Sequence, residues 1–296
     1  MGIAIVFAGQ GSQYSGMGRD LYDNSVKARE IFDISGAADL CFNGSAEDLS
    51  QTINTQPAML AVELAAAAAL TEIGITADYT AGFSLGEIAA LTYAGVFTPT
   101  DAFKLIRKRA EFMTECSNNG GGMAAVLKLS AEQVETLAEQ YGVYPVNYNC
   151  PGQITVAGLK DKLDEFCGAV TESGGRAVKL AVSGAFHSPY MRDASKKLYE
   201  VVTSLDITAP KIPVYSNFTA APYTNDICGL LCTQVMNPVK WQQTIENMIA
   251  DGADTFIEVG PGKVLSGLIK RISKDVKIMN VDKYEDIGTV KDNVTR

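Results

Sequence analysis

Histidine is nearly missing from this chain of 296 residues, which has one, His187. The six cysteines, Cys41, Cys116, Cys150, Cys167, Cys228 and Cys232, are scattered, and the closest pair is spaced C-x-x-x-C with no histidine nearby. Reduced, mostly buried thiols are therefore expected, and no metal centre. No apolar run reaches the ~20 residues that a membrane span needs. The longest, near 58–70, contains Glu63 and reads as a buried helix. Residues 1–8 have neither a basic start nor a cleavage-site pattern, and they lead into a Gly-rich turn. A first core strand, no signal peptide and a cytoplasmic location are expected. The net charge of -9 argues against nonspecific binding to nucleic acid or an anionic membrane, because the phosphate contribution would be repulsive overall. Heptads, fixed-period repeats and low-complexity segments are also lacking.

What is present is an ordinary globular composition, 47% hydrophobic and 20% charged, long enough for one large domain with an insertion or for two domains. The chain is organised around residues 78–97, where Gly82-Phe83-Ser84-Leu85-Gly86 forms a G-x-S-x-G. A short apolar run precedes it and helical spacing of apolar residues follows, so Ser84 falls on the turn between a buried strand and a helix. That is a nucleophile elbow. The flanking glycines keep Cβ atoms out of the turn, and the Leu85 amide at the helix start can face an oxyanion above the serine.

The rest of the chain supplies an α/β frame. A strand at 3–8 leads into Gly9-Gln10-Gly11-Ser12-Gln13, a loop that exposes backbone amides. Helices are expected at 18–32 and 45–50, then an Ala-rich buried helix introduced by Thr55-Gln56-Pro57 and running to about 74. After the elbow comes a helix at 101–116, capped by Thr100 or Asp101, with Lys104, Arg107, Lys108 and Arg109 along it. The polar break at 118–122 opens a segment with its own rhythm. Strand 122–129, helix 130–141, strands 144–149 and 153–158 around a Pro-Gly turn, helix 160–173 and strand 176–182 give βαββαβ, the split βαβ of ferredoxin-like domains. We therefore divide the chain into a large subdomain, 1–117 and 189–296, and a small ferredoxin-like one, 118–188. The return to the large unit reads as helix 190–205, strand 211–216, helix 239–250, strand 255–259, helix 262–272 and strand 276–281. Alternating strands and helices imply a mostly parallel open sheet.

A serine needs a base, and histidine is the usual one because its pKa lies near the working pH. His187, in the small-residue loop 183–189 at the junction of the two subdomains, has no competitor in this chain. Local sequence marks no aspartate to orient it, so a backbone or amide carbonyl is the alternative. Arg109 reads, from the residues alone, as one more cation on a solvated helix face.

Taken together, Phe7-Ala8-Gly9-Gln10-Gly11-Ser12-Gln13, Gly82-Phe83-Ser84-Leu85-Gly86-Glu87, Arg109, Ala185-Phe186-His187-Ser188, Gln234 in Gln234-Val235-Met236-Asn237-Pro238-Val239-Lys240-Trp241, and Glu258-Val259-Gly260-Pro261-Gly262-Lys263-Val264-Leu265 resemble the malonyl-CoA:acyl-carrier-protein transacylases of type II fatty acid synthesis. Order and spacing agree over essentially the whole chain. The resemblance implies an α/β hydrolase-like core with a ferredoxin-like insertion. It implies Ser84 as acyl-accepting nucleophile, His187 as base, and Gln10 and Leu85 as donors of the two oxyanion-hole amides. Gln234 would orient His187 through its backbone carbonyl. Arg109 would pair with the malonyl carboxylate, a task that suits a planar guanidinium and not a lysine. Phe186 would disfavour a methyl branch and so favour malonyl over methylmalonyl. The implied substrates are malonyl-CoA and phosphopantetheinylated acyl carrier protein, with no cofactor.

Two positions depart from the family pattern. Phe83 stands where a histidine is common, which should alter packing while activity is retained, and Ala8 stands where proline is common, which should loosen the loop before Gln10. An acidic carrier protein would need a local basic patch on this acidic chain, expected at Lys263, Lys270 and Arg271 with Lys179 or Arg176. Two other readings stay open: a serine esterase or thioesterase, which has no need of the Arg109 clamp, and a noncatalytic carrier-binding scaffold, which has no need of a Ser84 and His187 pair.

Overall fold

The structure is a computed structural model that describes residues 2–118, 120–182 and 184–294. Asn119 of the expected break and Ser183 of the His187 loop lie outside the described residues. β1 (Ile3–Phe7) is followed by α1 (Arg19–Asn24), α2 (Val26–Ser35), α3 (Ala38–Asn43), α4 (Ala46–Ser50) and α5 (Thr52–Glu72), then β2 (Tyr79–Gly82), α6 (Gly86–Tyr93) and α7 (Pro99–Ser117). Next come β3 (Gly121–Leu127), α8 (Ala131–Tyr141), β4 (Tyr144–Cys150), β5 (Gln153–Leu159), α9 (Lys160–Glu172) and β6 (Arg176–Lys179). A 3-10 turn (Pro189–Met191) opens the remainder: α10 (Arg192–Val202), β7 (Val214–Tyr215), α11 (Ile227–Gln234), α12 (Trp241–Ala250), β8 (Thr255–Val259), α13 (Val264–Ile272), β9 (Lys277–Val281) and α14 (Tyr284–Asn293).

β1 is apolar at every position and buried at every position, as a strand covered on both faces must be. It lies in the middle of a five-stranded sheet of order β7-β2-β1-β8-β9, in which every pairing is parallel. The Ala-rich α5 packs inside, and 83% of its most apolar stretch is buried; among the described residues it is the one helix long and apolar enough to cross a membrane. Placed against the sheet, it is a core helix. The second sheet is antiparallel, order β4-β5-β3-β6, with α8 and α9 packed on it through Val126, Val134, Phe166 and Val170. Numbering its own strands from one, the order is 2-3-1-4, the ferredoxin-like arrangement. The antiparallel sheet is tied to the segment before α12 where Val239 exchanges backbone hydrogen bonds with Val146 and Tyr148 of β4, at 2.8 and 2.9 Å. Arg271 of α13 adds a second tie, donating to Gln153 Oε1 at 2.5 Å and to the Pro151 carbonyl at 3.0 Å.

Several boundaries differ from expectation, each for a local reason. The helix expected at 18–32 is two, because Ser25 is extended and its side chain accepts from the Ala28 amide to start a new helix. α7 begins earlier than expected: Thr98 is its cap, accepting from the Asp101 amide, and Pro99 takes the first helical position, where a missing N–H costs nothing. α5 starts at Thr52, so Pro57 lies inside it and not at its head. The helix at 239–250 starts only at Trp241 because Val239 is engaged with β4. The strand expected at 211–216 shrinks to two residues, and α3, α11 and α14 had no clear periodic signal.

Candidate active site

The elbow exists because two glycines let backbones meet. A Cβ on Gly82 would stand 1.9 Å from the carbonyl of Gly86, and a Cβ on Gly86 would stand 2.5 Å from the carbonyl oxygens of Phe7 and Ala8. Between them Ser84 is held at φ 55°, a left-handed conformation that costs a non-glycine residue roughly 1–2 kcal/mol. This strain lifts the side chain off the path of the strand. His187 also has a left-handed φ, of 57°.

Ser84 Oγ and His187 Nε2 lie 2.7 Å apart, and His187 Nδ1 lies 2.9 Å from the backbone carbonyl of Gln234. A carbonyl only accepts, so Nδ1 carries the proton and Nε2 presents its lone pair to the serine. Burial, reinforced by the nearby Arg109 charge, pushes the imidazole pKa down to about 4, against smaller support from backbone contacts with Gln234 and Asn237. The imidazole is thus neutral at neutral pH and able to take a proton.

Arg109 does not lie on the solvated face with Lys104, Arg107 and Lys108; it is 1% exposed. Its Nη1 donates to Gln56 Oε1 at 2.8 Å, and its Nη2 donates to Ser84 Oγ at 3.1 Å and to Gln234 Oε1 at 3.0 Å. Nε is buried with no partner among the described residues. Burial lowers the guanidinium pKa to about 10, with Glu87 holding it up, so it stays charged.

A cavity of about 100 Å³ joins these groups, lined by Gln10, Gln56, Ser84, Leu85, Arg109 and His187, with Phe83, Phe186 and Met113 as apolar wall. Met123, Asn147, Leu180 and Val182 of the second sheet and its trailing segment close the other side. Among the described residues, the amides of Gln10 and Leu85 donate to no other part of the chain. All seven residues expected at the site therefore meet: Ser84, Leu85, Arg109, Phe186, His187 and Gln10 line the cavity, and Gln234 lies directly behind it.

The two departures are accounted for. Phe83 packs edge-to-face on Trp241, ring centroids 5.5 Å apart, and a Cβ on Gly9 would come within 2.8 Å of its ring. Ala8 does what proline cannot: its amide donates to the Val259 carbonyl at 3.4 Å, prolonging the β1–β8 ladder.

Sequence reasoning missed the layer beneath the serine. Glu87, Asn217, Tyr223 and Gln56 are all buried; Glu87 stood within a quoted motif and Gln56 was read only as part of a helix start. Glu87 accepts from the Tyr223 hydroxyl, from Gln234 Nε2 at 2.9 Å and from the Asn217 amide at 3.1 Å. Burial raises its pKa to about 7, the hydrogen bonds and Arg109 opposing. Gln234 also donates from Nε2 to the Ser84 carbonyl at 2.7 Å, so one residue serves the base with its backbone and the nucleophile with its side chain.

Comparison with known proteins shows the family. Residues 4–296 match the model of the acyl transferase domain. The chain is 41% identical to the malonyl CoA-acyl carrier protein transacylase of Bacillus subtilis (strain 168), over 96% of this chain and 95% of that one. The solved malonyl CoA-acyl carrier protein transacylase of Clostridium perfringens superposes with a TM-score of 0.96 at 37% identity, covering 99% of this chain and 97% of the other. A malonyl-transacylase solved in complex with its type II PKS acyl-carrier protein matches with a TM-score of 0.96 at 33% identity, covering 99% and 100%. An elbow serine, a single histidine and a buried arginine in one cavity, on a fold shared from end to end, place this chain in the malonyl CoA-acyl carrier protein transacylase family of acyl transferases.

Proposed function

We propose that the protein transfers malonyl from malonyl-CoA to the pantetheine thiol of acyl carrier protein through a Ser84 ester, in the cytoplasm and in the service of fatty acid synthesis. The observation that carries this reading is Arg109, a charged guanidinium buried in the same cavity as Ser84 with its Nε unpaired. An esterase has no use for such a group, whereas a substrate carboxylate is its natural partner.

In the first half-reaction His187 Nε2 takes the Ser84 proton as Oγ attacks the thioester carbonyl. The amides of Gln10 and Leu85 receive the oxyanion, each such donor stabilising the transition state by ~3 kcal/mol. Collapse breaks the C–S bond, and the imidazolium returns its proton to the departing CoA thiolate. In the second, His187 deprotonates the carrier thiol, which attacks the malonyl ester, and Ser84 recovers the proton on release. The Gln234 carbonyl steadies the imidazolium formed in each half. Phe186, 6% exposed at the cavity wall, supports discrimination against an α-methyl branch.

We divide the molecule at 118 and 188, with 118–188 as the small subdomain. Met123 and Asn147 of the antiparallel sheet line the cavity opposite Gln10, Ser84 and Leu85, which follow β1 and β2 of the parallel sheet, and this supports a site between the two parts. The decisive experiment is incubation with malonyl-CoA followed by intact mass and peptide mapping. One malonyl adduct on the Ser84 peptide, lost in Ser84→Ala, is expected. An adduct that survives Ser84→Ala refutes the assignment.

A further inference from the structure

Asn217, just beyond β7, is fully buried and is not among the residues that line the cavity, yet its polar atoms converge on the elbow. Its Nδ2 donates to the Gly82 carbonyl at 2.6 Å, and its Oδ1 accepts from the Ser84 amide at 2.8 Å. One carboxamide thus spans residue 83 and closes the turn as a peptide unit of a neighbouring strand would. The Asn217 amide donates to Glu87 Oε2 in the first turn of α6, and its carbonyl accepts from the Lys240 amide at 2.9 Å. Gln234 Nε2 sits 3.4 Å from the same Oδ1 and holds the Ser84 carbonyl.

We propose that Asn217 is a positioning residue that holds Ser84 in its left-handed conformation, and so holds Oγ against His187 and Arg109. The inference rests on Ser84 being the acyl acceptor. A residue at φ 55° turns its N–H out of the sheet ladder, and Asn217 is the acceptor that N–H finds. Without it the half-buried Ser84 amide loses its acceptor and the turn relaxes toward ordinary φ, which draws Oγ away from Nε2. Aspartate cannot replace it while ionised, because the Gly82 carbonyl requires a donor. Both half-reactions use the same Oγ, so both must slow together.

The test is single-turnover acylation by malonyl-CoA, read as intact mass, followed by transfer to carrier protein. Wild type is compared with Asn217→Ala, Asn217→Asp and Leu70→Ala. Leu70 is buried in α5 outside the site and serves as the control for lost stability. Asn217→Ala is expected to slow both steps by about 10²-fold with KM for malonyl-CoA little changed, since an ångström of misplacement has that effect. Leu70→Ala, similarly destabilised, is expected to keep its rates. In Asn217→Asp the new carboxyl is buried against the Gly82 carbonyl and the Ser84 amide and shares the Gln234 Nε2 donor with Glu87 of α6, which also accepts from Tyr223, while Arg109 of α7 and the neutral His187 lie beyond. Burial and Glu87 favour its protonated form, which regains a donor for Gly82, so the ratio of variant to wild-type rate should rise as pH falls from about 8 to about 6. Rates in Asn217→Ala that follow stability as in Leu70→Ala, or a flat ratio in Asn217→Asp, overturn the inference. The second arm decides alone if the alanine variant does not fold. A wild type with no adduct on Ser84 overturns the functional reading instead, and the inference with it.

Discussion

The charge of Arg109 weighs on His187: together with burial, the larger cause, it pushes the imidazole pKa down to about 4. The residue read as substrate clamp therefore also helps burial keep the proposed base neutral. In the proposed reaction a malonyl carboxylate paired with Arg109 would offset that charge and raise the basicity of His187 just when a proton has to be taken.

The acid limb of kcat/KM for malonyl-CoA is accordingly expected far below the ordinary histidine value of about 6.5, falling as pH drops through about 4. His187→Ala should slow acylation roughly 10²–10⁴-fold across the range, with a residual rate from the oxyanion hole. A wild-type limb near 6.5, or a near-normal rate in the variant, would mean that His187 is not the base.

Arg109→Ala is expected to lose about 10²-fold or more in malonyl transfer, to gain relative activity toward acetyl-CoA, and still to form an acyl ester on Ser84. Because Gln56, Gln234 and Ser84 already engage the guanidinium, acetyl would not leave it bare, and wild-type rejection of acetyl is expected to be weaker than an unpaired charge would impose. The check is kcat/KM for both substrates in both proteins. An unchanged ratio would reopen the esterase reading.

Carrier docking by charge is expected at the groove lined by Lys263, Lys270 and Lys274 of α13 and its flanks. Two residues of the sequence-based patch have other partners: Arg271 ties α13 to the β4–β5 turn, and Lys179 pairs with Asp164. Charge reversal at Lys263 and Lys270 should raise KM for the carrier protein at low salt, less so at high salt, and leave malonyl-Ser84 formation unchanged. Carrier kinetics that do not respond would place docking elsewhere.

Glu87 gives the fold a pH signature. Its pKa is raised from 4.5 to about 7 in the folded protein, chiefly by burial, so the native state holds this proton where the unfolded chain has lost it. The resulting stability is complete below the unfolded value and disappears as pH rises through about 7. His187 has the opposite sign, its contribution being complete above about 6.5 and lost as pH falls through about 4. Between about pH 5 and pH 8, Tm of Glu87→Gln should therefore fall less steeply with pH than that of wild type. Parallel slopes would show that Glu87 keeps its charge throughout.

The parts of this site that sequence made legible are those built locally. The elbow around Ser84 follows from a strand, two glycines and a helix in one stretch, and β1, β8 and the βαββαβ unit follow from periodicity. Arg109 was readable only through resemblance, because a buried cation and a solvated one look alike on a helix whose neighbours are lysines. Asn217 and Gln56 were not readable at all: the first meets Ser84 across 133 positions, and no short-range pattern encodes such a contact. Their signal is a polar residue fully buried in the fold, which needs the fold to be seen.

The hydrogen bonds to Ser84 also set a timetable for biosynthesis. Its amide is held by Asn217 and its carbonyl by Gln234, while β1 pairs with β8. A nascent chain that has emerged only through α7 has the serine and the arginine but no histidine, neither Asn217 nor Gln234, and an unfinished central sheet. Contacts of such long sequence separation form late, so the geometry proposed for acyl acceptance is complete only with the last third of the polypeptide, and a truncated product is expected to be inert toward thioesters.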